Sequence, residues 1–225
     1  MTKERPILFS GAMVLAILDG RKTQTRRVLN QATGPSLSVG IEDEPGVAEL
    51  SWLYGDGPGH EVHECIQRVA CPYGRPGDRL WVRETWARPA ALDPGPTVYR
   101  ADYPACVPAA FENVPPADAI TWKPSIHMPR ALSRILLEVT GVRVERLNDC
   151  SQADAIAEGA PPSHPSIDVV SRQFGYEDFS RSWYAQLWEQ INGAGAWEAN
   201  PWVWVIEFRR IYPELSKGDN YLPHR

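Results

Sequence analysis

Residues 200–211, NPWVWVIEFRRI, constrain the fold most. Trp202, Trp204, Ile206 and Phe208 alternate with Val203, Val205 and Glu207, the period-two pattern of a β-strand. A second long run, SRILLEVTGVRVERL at 133–147, has the same period but changes phase. Ile135, Leu137 and Val139 share one face, while Val142 and Val144 share the other parity. Gly141 is the natural place for a bulge that corrects the phase. Shorter strands are read at 5–9, at 97–103, and on both sides of the turn PYGRPGD within 64–86.

Three segments read as helices. In SGAMVLAILDG, Ser10 can cap the start and Gly20 sits where a terminator belongs. Its apolar face is Val14, Leu15, Ile17 and Leu18. In SQADAIAEG, Ser151 and Asp154 are spaced like a capping box, with Gly159 at the end. Residues 176–193 form the strongest helix, with Phe179, Trp183, Leu187 and Ile191 recurring every four residues beside Trp188. These aromatics are read as core.

Residues 30–64, rich in Gly, Pro, Ser and acids, are read as a long loop insertion. Residues 104–119 are read as a Pro/Ala-rich loop, and 213–225 as a polar tail. Strands dominate and do not alternate regularly with helices. That argues against a doubly wound sheet and for an α+β fold around a small β-barrel, as one domain over 1–212.

The chain has 225 residues, 43% of them hydrophobic, so a real core can form. No stretch of about 18 apolar residues suggests a membrane span, and the N-terminus lacks the pattern of a signal peptide. A soluble cytoplasmic protein is expected. The formal charge of −5 argues against a strongly basic nucleic-acid coat, but not against a local basic cleft. Cys65, Cys71, Cys106 and Cys150 show no framework spacing and are read as thiols. His60, His63, Cys65 and Cys71 match no standard zinc spacing, so no metal is expected. No phosphate-binding loop, dinucleotide fingerprint or nucleophile elbow occurs, and no cofactor is expected.

What stands out is GRKTQTRR at 20–27. It leaves a helix C-terminus, where cations meet the dipole favourably. That accounts for Arg21 and Lys22 but not for Arg26 and Arg27. Glu84 also stands out, because it shares strand parity with Leu80, Val82 and Trp86. A carboxylate on an apolar face needs a partner, or its pKa rises. Two chemistries are open. Lys22, Thr25 and Glu84 could form an activated-nucleophile set. The same residues could instead hold a phosphate or a base.

ILDGRKTQTRR resembles the opening motif of the ASCH family, a helix followed by G-x-K-x-x-T-x-R, which Gly20, Lys22, Thr25 and Arg27 fit. PGDRLWVRETW is similar to the family's second block. YRAD, WKPSIHMPR and the tryptophan-rich final strand resemble ASCH proteins common in phages and prophages. The resemblance implies a PUA-like β-barrel with flanking helices and a cleft at the motif. It also implies binding of a nucleotide or nucleic acid, RNA or a modified base. The cleft would be built by Lys22, Thr25, Arg26, Arg27 and Glu84. Arg100, Trp122 and Lys123 would extend it or stack on a base. One bacterial relative is an amidohydrolase of N4-acetylcytidine that uses a lysine, a threonine and a glutamate. By that likeness Lys22 is the activator, Thr25 the nucleophile and Glu84 the carboxylate. The further alternative is a phage accessory module that binds another protein.

Overall fold

Two long strands form the spine of the chain. The computed structural model describes residues 2–32, 38–41, 44–54, 63–92, 95–161, 169, 173 and 179–212. In chain order the elements are β1 (Glu4–Leu8), α1 (Gly11–Leu18), β2 (Gln24–Val28), β3 (Ser38–Ile41), β4 (Val47–Tyr54) and β5 (His63–Ala70). There follow β6 (Arg79–Arg83), β7 (Trp86–Ala87), β8 (Val98–Tyr99), β9 (Leu136–Arg146), α2 (Gln152–Ala157), α3 (Phe179–Asn192) and β10 (Trp202–Ile211). The tail from 213 lies outside the described residues.

The main sheet runs β1-β6-β9-β10-β2. Only β1 and β6 are parallel; the other neighbours are antiparallel. The β9–β10 register shifts where Glu207 faces Gly141 and Phe208 faces Val139. Thr140 is thus the extra residue of a bulge. The shift brings Ile135, Leu137, Val139 and Val144 into one core despite their opposite parities.

β10 is apolar at both parities because both of its faces are covered. Trp204, Ile206 and Phe208 pack with Ile7, Val14, Ile17, Leu80 and Val82. Val203 and Val205 pack with Ala155, Tyr184 and Trp188 on the opposite face. Each such side chain contributes about 1.5–3 kcal/mol of hydrophobic stabilisation. A third cluster, Ala87, Leu92, Val98 and Ile120, surrounds the small β7–β8 pair.

The architecture is mixed α+β, mostly sheet with few helices. Among the described residues no pairing joins β1 to β2, so the sheets do not close into a barrel. No helix among them is long and apolar enough to cross a membrane. All four cysteines are free.

Three local expectations are corrected. The 30–64 segment is not a simple loop: β3 and β4 form an antiparallel sheet with β5. The signal was the alternation of Ala48, Leu50 and Trp52, two of which are fully buried. In α1 the buried face is Met13, Val14, Ala16 and Ile17, while Leu15 is exposed. Ser10 occupies the cap position, although its side chain makes no capping bond. In α3 Trp188 is buried as expected, and Trp183 and Leu187 pack half-buried against both cores, but Ser180 and Tyr184 complete the buried stripe and Phe179 and Ile191 are exposed. A four-residue repeat fits a helix at either phase. The stripe that packs on the Val203–Val205 face wins.

Candidate functional site

Two helix ends meet below the edge of β2. After α1, Gly20 adopts φ +74 and the chain reverses. The Arg21 and Lys22 amides both return to the Ala16 carbonyl, at 2.8 and 3.0 Å. The Thr23 amide then donates to the Ala157 carbonyl of α2 at 2.9 Å. α2 starts on the Ser151–Asp154 capping box and ends at Glu158 and Gly159. Gly159 has φ +98, and a Cβ on it would come within 3.0 Å of the Ala16 Cβ and 3.4 Å of the Lys22 Cβ. Glycine is therefore required there on two counts.

The result is a buried charge centre. Lys22 is only 3% exposed and Glu158 only 2%. Lys22 Nζ donates to Glu158 Oε2 at 2.7 Å, to the Glu158 carbonyl at 2.8 Å and to the Gln24 carbonyl at 2.7 Å. All three ammonium protons have acceptors. Burial pulls the Lys22 ammonium below its ordinary value, and the Glu158 carboxylate opposes that pull.

The other Glu158 oxygen accepts from Arg26 Nη1 at 3.3 Å. Arg26 also donates from Nε to Glu145 at 3.0 Å and lies 3.5 Å from Asp154. Its side chain is fully buried. Arg143 joins Glu145, Asp154 and Glu207 to the same network. Burial raises the Asp154 carboxyl, but the Ser151 hydroxyl and amide, Gln24 and Arg26 outweigh it and hold the group well below the usual range.

A cavity of about 350 Å³ adjoins this centre. Lys22, Thr25, Arg26, Arg27 and Glu158 line it, with Phe9, Met13, Leu187 and Trp188 as apolar walls. Thr25 is 2% exposed and lies one residue along β2 from Gln24. Arg27 donates from Nη2 to the Leu8 carbonyl at 2.8 Å, and its guanidinium lies 5.5 Å from the Phe9 ring centre. Ser10, Ser125 and Asn192 add polar groups.

The structure thus brings Lys22, Thr25, Arg26 and Arg27 together and leaves the other expected residues elsewhere. Glu84 does not line the cavity. It is 1% exposed just past β6, and Arg134 grips both of its oxygens, at 2.9 and 2.8 Å. Arg134 also binds Asp102 and lies 4.0 Å from the Tyr99 ring centre. Burial raises the Glu84 carboxyl, and Arg134 counters it. The partner that an apolar-face carboxylate needs is therefore a structural one.

Arg100 is exposed, and its amide donates to the Thr85 carbonyl at 2.9 Å. Trp122 donates to the Ala117 carbonyl at 2.9 Å and packs edge-on against Tyr103. Lys123 sits 4.8 Å over the Trp86 ring. Trp122 packs against the third cluster, and none of the three lines the cavity; from 122–125 it is Ser125 that reaches it. Arg26 lines the cavity, but its guanidinium is committed to carboxylates. Of HEVHEC, His60 lies outside the described residues, and among the described residues no metal-binding group of His, Cys, Asp or Glu occurs.

Glu158 is the residue sequence reasoning missed. A carboxylate at a helix C-terminus opposes the dipole, so its place before Gly159 signals a nearby cation. No family model, curated protein or solved structure matches the chain.

Proposed function

We propose that this chain binds a nucleoside-sized ligand in the cavity and hydrolyses an amide on it, with Lys22, Thr25 and Glu158 as the reacting set. One observation carries the reading: a buried Lys22–Glu158 pair and Thr25 line the same apolar-walled cavity. The charge is turned inward and neutralised, which suits chemistry on a small ligand better than tracking a phosphate backbone. The ASCH and PUA-like likeness belongs to this proposal, with Glu158 in the role first given to Glu84.

In the proposed reaction Thr25 Oγ1 adds to the acyl carbon and its proton passes to the Glu158 carboxylate. That proton then goes to the leaving amine as the C–N bond breaks. Water hydrolyses the acyl-threonine and releases the acid. Lys22 holds the Glu158 carboxylate in place at 2.7 Å. The test is incubation with N4-acetylcytidine, followed by chromatography for cytidine. Wild type should release cytidine and Thr25→Ala should not. Equal release by both would end the threonine proposal.

Recognition of a nucleotide without turnover is the second reading, favoured by Arg27 and Ser125 lining the same cavity. RNA or nucleotide affinity falling steeply with salt, without cytidine release, would select it.

A further inference from the structure

β5 is an end strand of the second sheet, which runs β3-β4-β5. One face of that sheet joins the main core through Ala48, Leu50 and Val69. On its other face Glu49, Ser51 and Leu53 of β4 stand opposite Arg68, Ile66 and Glu64 of β5. Glu64, Ile66 and Arg68 are all exposed, Ile66 at 57%, and Leu53 beside them is 64% exposed. Among the described residues no strand pairs with the outer side of β5.

The ladder fixes where the main-chain groups of β5 point. The Cys71 amide donates to the Gly46 carbonyl at 2.7 Å, which continues the β4–β5 register by one pair. Bonding residues alternate along an antiparallel ladder. Val69, Gln67 and Cys65 therefore turn their N–H and C=O groups to β4, and Arg68, Ile66 and Glu64 turn theirs to the open side. An exposed strand edge of this kind is a template for another strand. Its charges are of opposite sign and stand two residues to either side of Ile66.

We propose that β5 pairs antiparallel with β5 of a second copy of this chain, about a two-fold axis at Ile66. Side-chain complementarity selects that register. An axis at Glu64 or Arg68 sets like charges face to face, an axis at Cys65 sets Glu64 against Ile66, and an axis at Gln67 sets Ile66 against Arg68. With the axis at Ile66, Ile66 meets itself, and Glu64 meets Arg68 of the second copy on both sides of it. Arg68 then stands between Glu49 of its own strand pair and Glu64 of the second copy. The two three-stranded sheets become one continuous sheet, and the contact closes at two copies.

The test is sedimentation equilibrium of the full chain from about 5 to 500 µM, a range suited to a small interface. The mass should rise to twice that of one chain. Glu64→Arg and Arg68→Glu, each confirmed folded by circular dichroism, should each weaken self-association about tenfold or more. An equimolar mixture of the two variants should pair again, because each places its like charges opposite the other's. Ile66→Cys in a Cys65→Ser chain gives an independent reading. Cα atoms across a bonded pair lie about 5.5 Å apart, within disulfide reach, so mild oxidation should link two copies. A wild-type chain that stays monomeric throughout the range would overturn the proposal. So would a dimer that both charge variants leave unchanged and that Ile66→Cys does not link.

Discussion

Lys22 and Glu158 are 136 positions apart in the chain, yet their charged atoms meet at 2.7 Å in the protein interior. Neither charge reaches water, so Lys22 depends on Glu158, which Arg26 also holds at 3.3 Å. Removing one partner leaves a buried charge exposed to a low-dielectric interior. Glu158→Ala should destabilise the fold by about 3–5 kcal/mol. The double variant Lys22→Met with Glu158→Leu should recover most of that loss. Urea unfolding followed by circular dichroism measures both; a single variant within about 0.5 kcal/mol of wild type would show that the pair is not buried in solution.

The carboxylate network gives the protein an acid limit. Asp154 has its folded pKa held below its ordinary value of 3.8. A depressed carboxylate binds fewer protons folded than unfolded, so its contribution is fully present above that value. It is lost as pH falls toward the folded pKa. Asp154→Asn should therefore be less stable than wild type at pH 7, and the gap should shrink steadily below about pH 4. Stability curves of the two proteins from pH 2 to 7 check this; a gap that stays constant would contradict it.

The cysteines should separate by reactivity. Cys71 is 5% exposed and Cys150 is 1% exposed. Burial pushes the first thiol up to about 11 and the second to about 12. Almost no thiolate exists on either at neutral pH. A thiol reagent at pH 7.5 should leave both untouched in the native protein, while all four sulfurs react in denaturant. Peptide mapping of the labelled sites would reveal any native labelling of Cys150, which would contradict the packing beneath α2.

Gly159 couples backbone conformation to the site. Gly159→Ala forces an L side chain into φ +98 and brings its Cβ against Ala16 and Lys22. The cost should exceed 1 kcal/mol, and Lys22 should shift. Turnover should drop more than the loss of folded protein explains. Activity corrected for folded fraction distinguishes the two effects; unchanged corrected activity would mean that Lys22 tolerates the displacement.

How far the sequence foretold this arrangement depends on the range of the interaction. Local signals served well: the Ser151–Asp154 box, the bulge beside Gly141 and the strand of alternating tryptophans all follow from neighbours along the chain. Lys22 and Thr25 share one short motif but have opposite strand parity, so the motif alone did not show that both line one cavity. Strand parity marked Glu84 as a carboxylate needing a partner, but parity does not name one, and Arg134 is 50 residues away. The carboxylate at Lys22 comes from the end of a six-residue helix placed there by tertiary packing. Arg26 reads as a ligand contact only until Glu145 and Glu158 are seen to hold it. The phase of α3 was undetermined for the same reason: packing on Val203 and Val205 chose between adjacent stripes.

The most direct test sets Glu158→Gln beside Glu84→Gln, both confirmed folded by circular dichroism, in turnover of N4-acetylcytidine. Glu158 touches Lys22 in the cavity, whereas Glu84 is held by Arg134 away from it. The account predicts that Glu158→Gln loses cytidine release by at least about a hundredfold, the scale of a lost general base, while Glu84→Gln stays within a few-fold of wild type. Loss in Glu84→Gln with activity retained in Glu158→Gln would contradict the site described here.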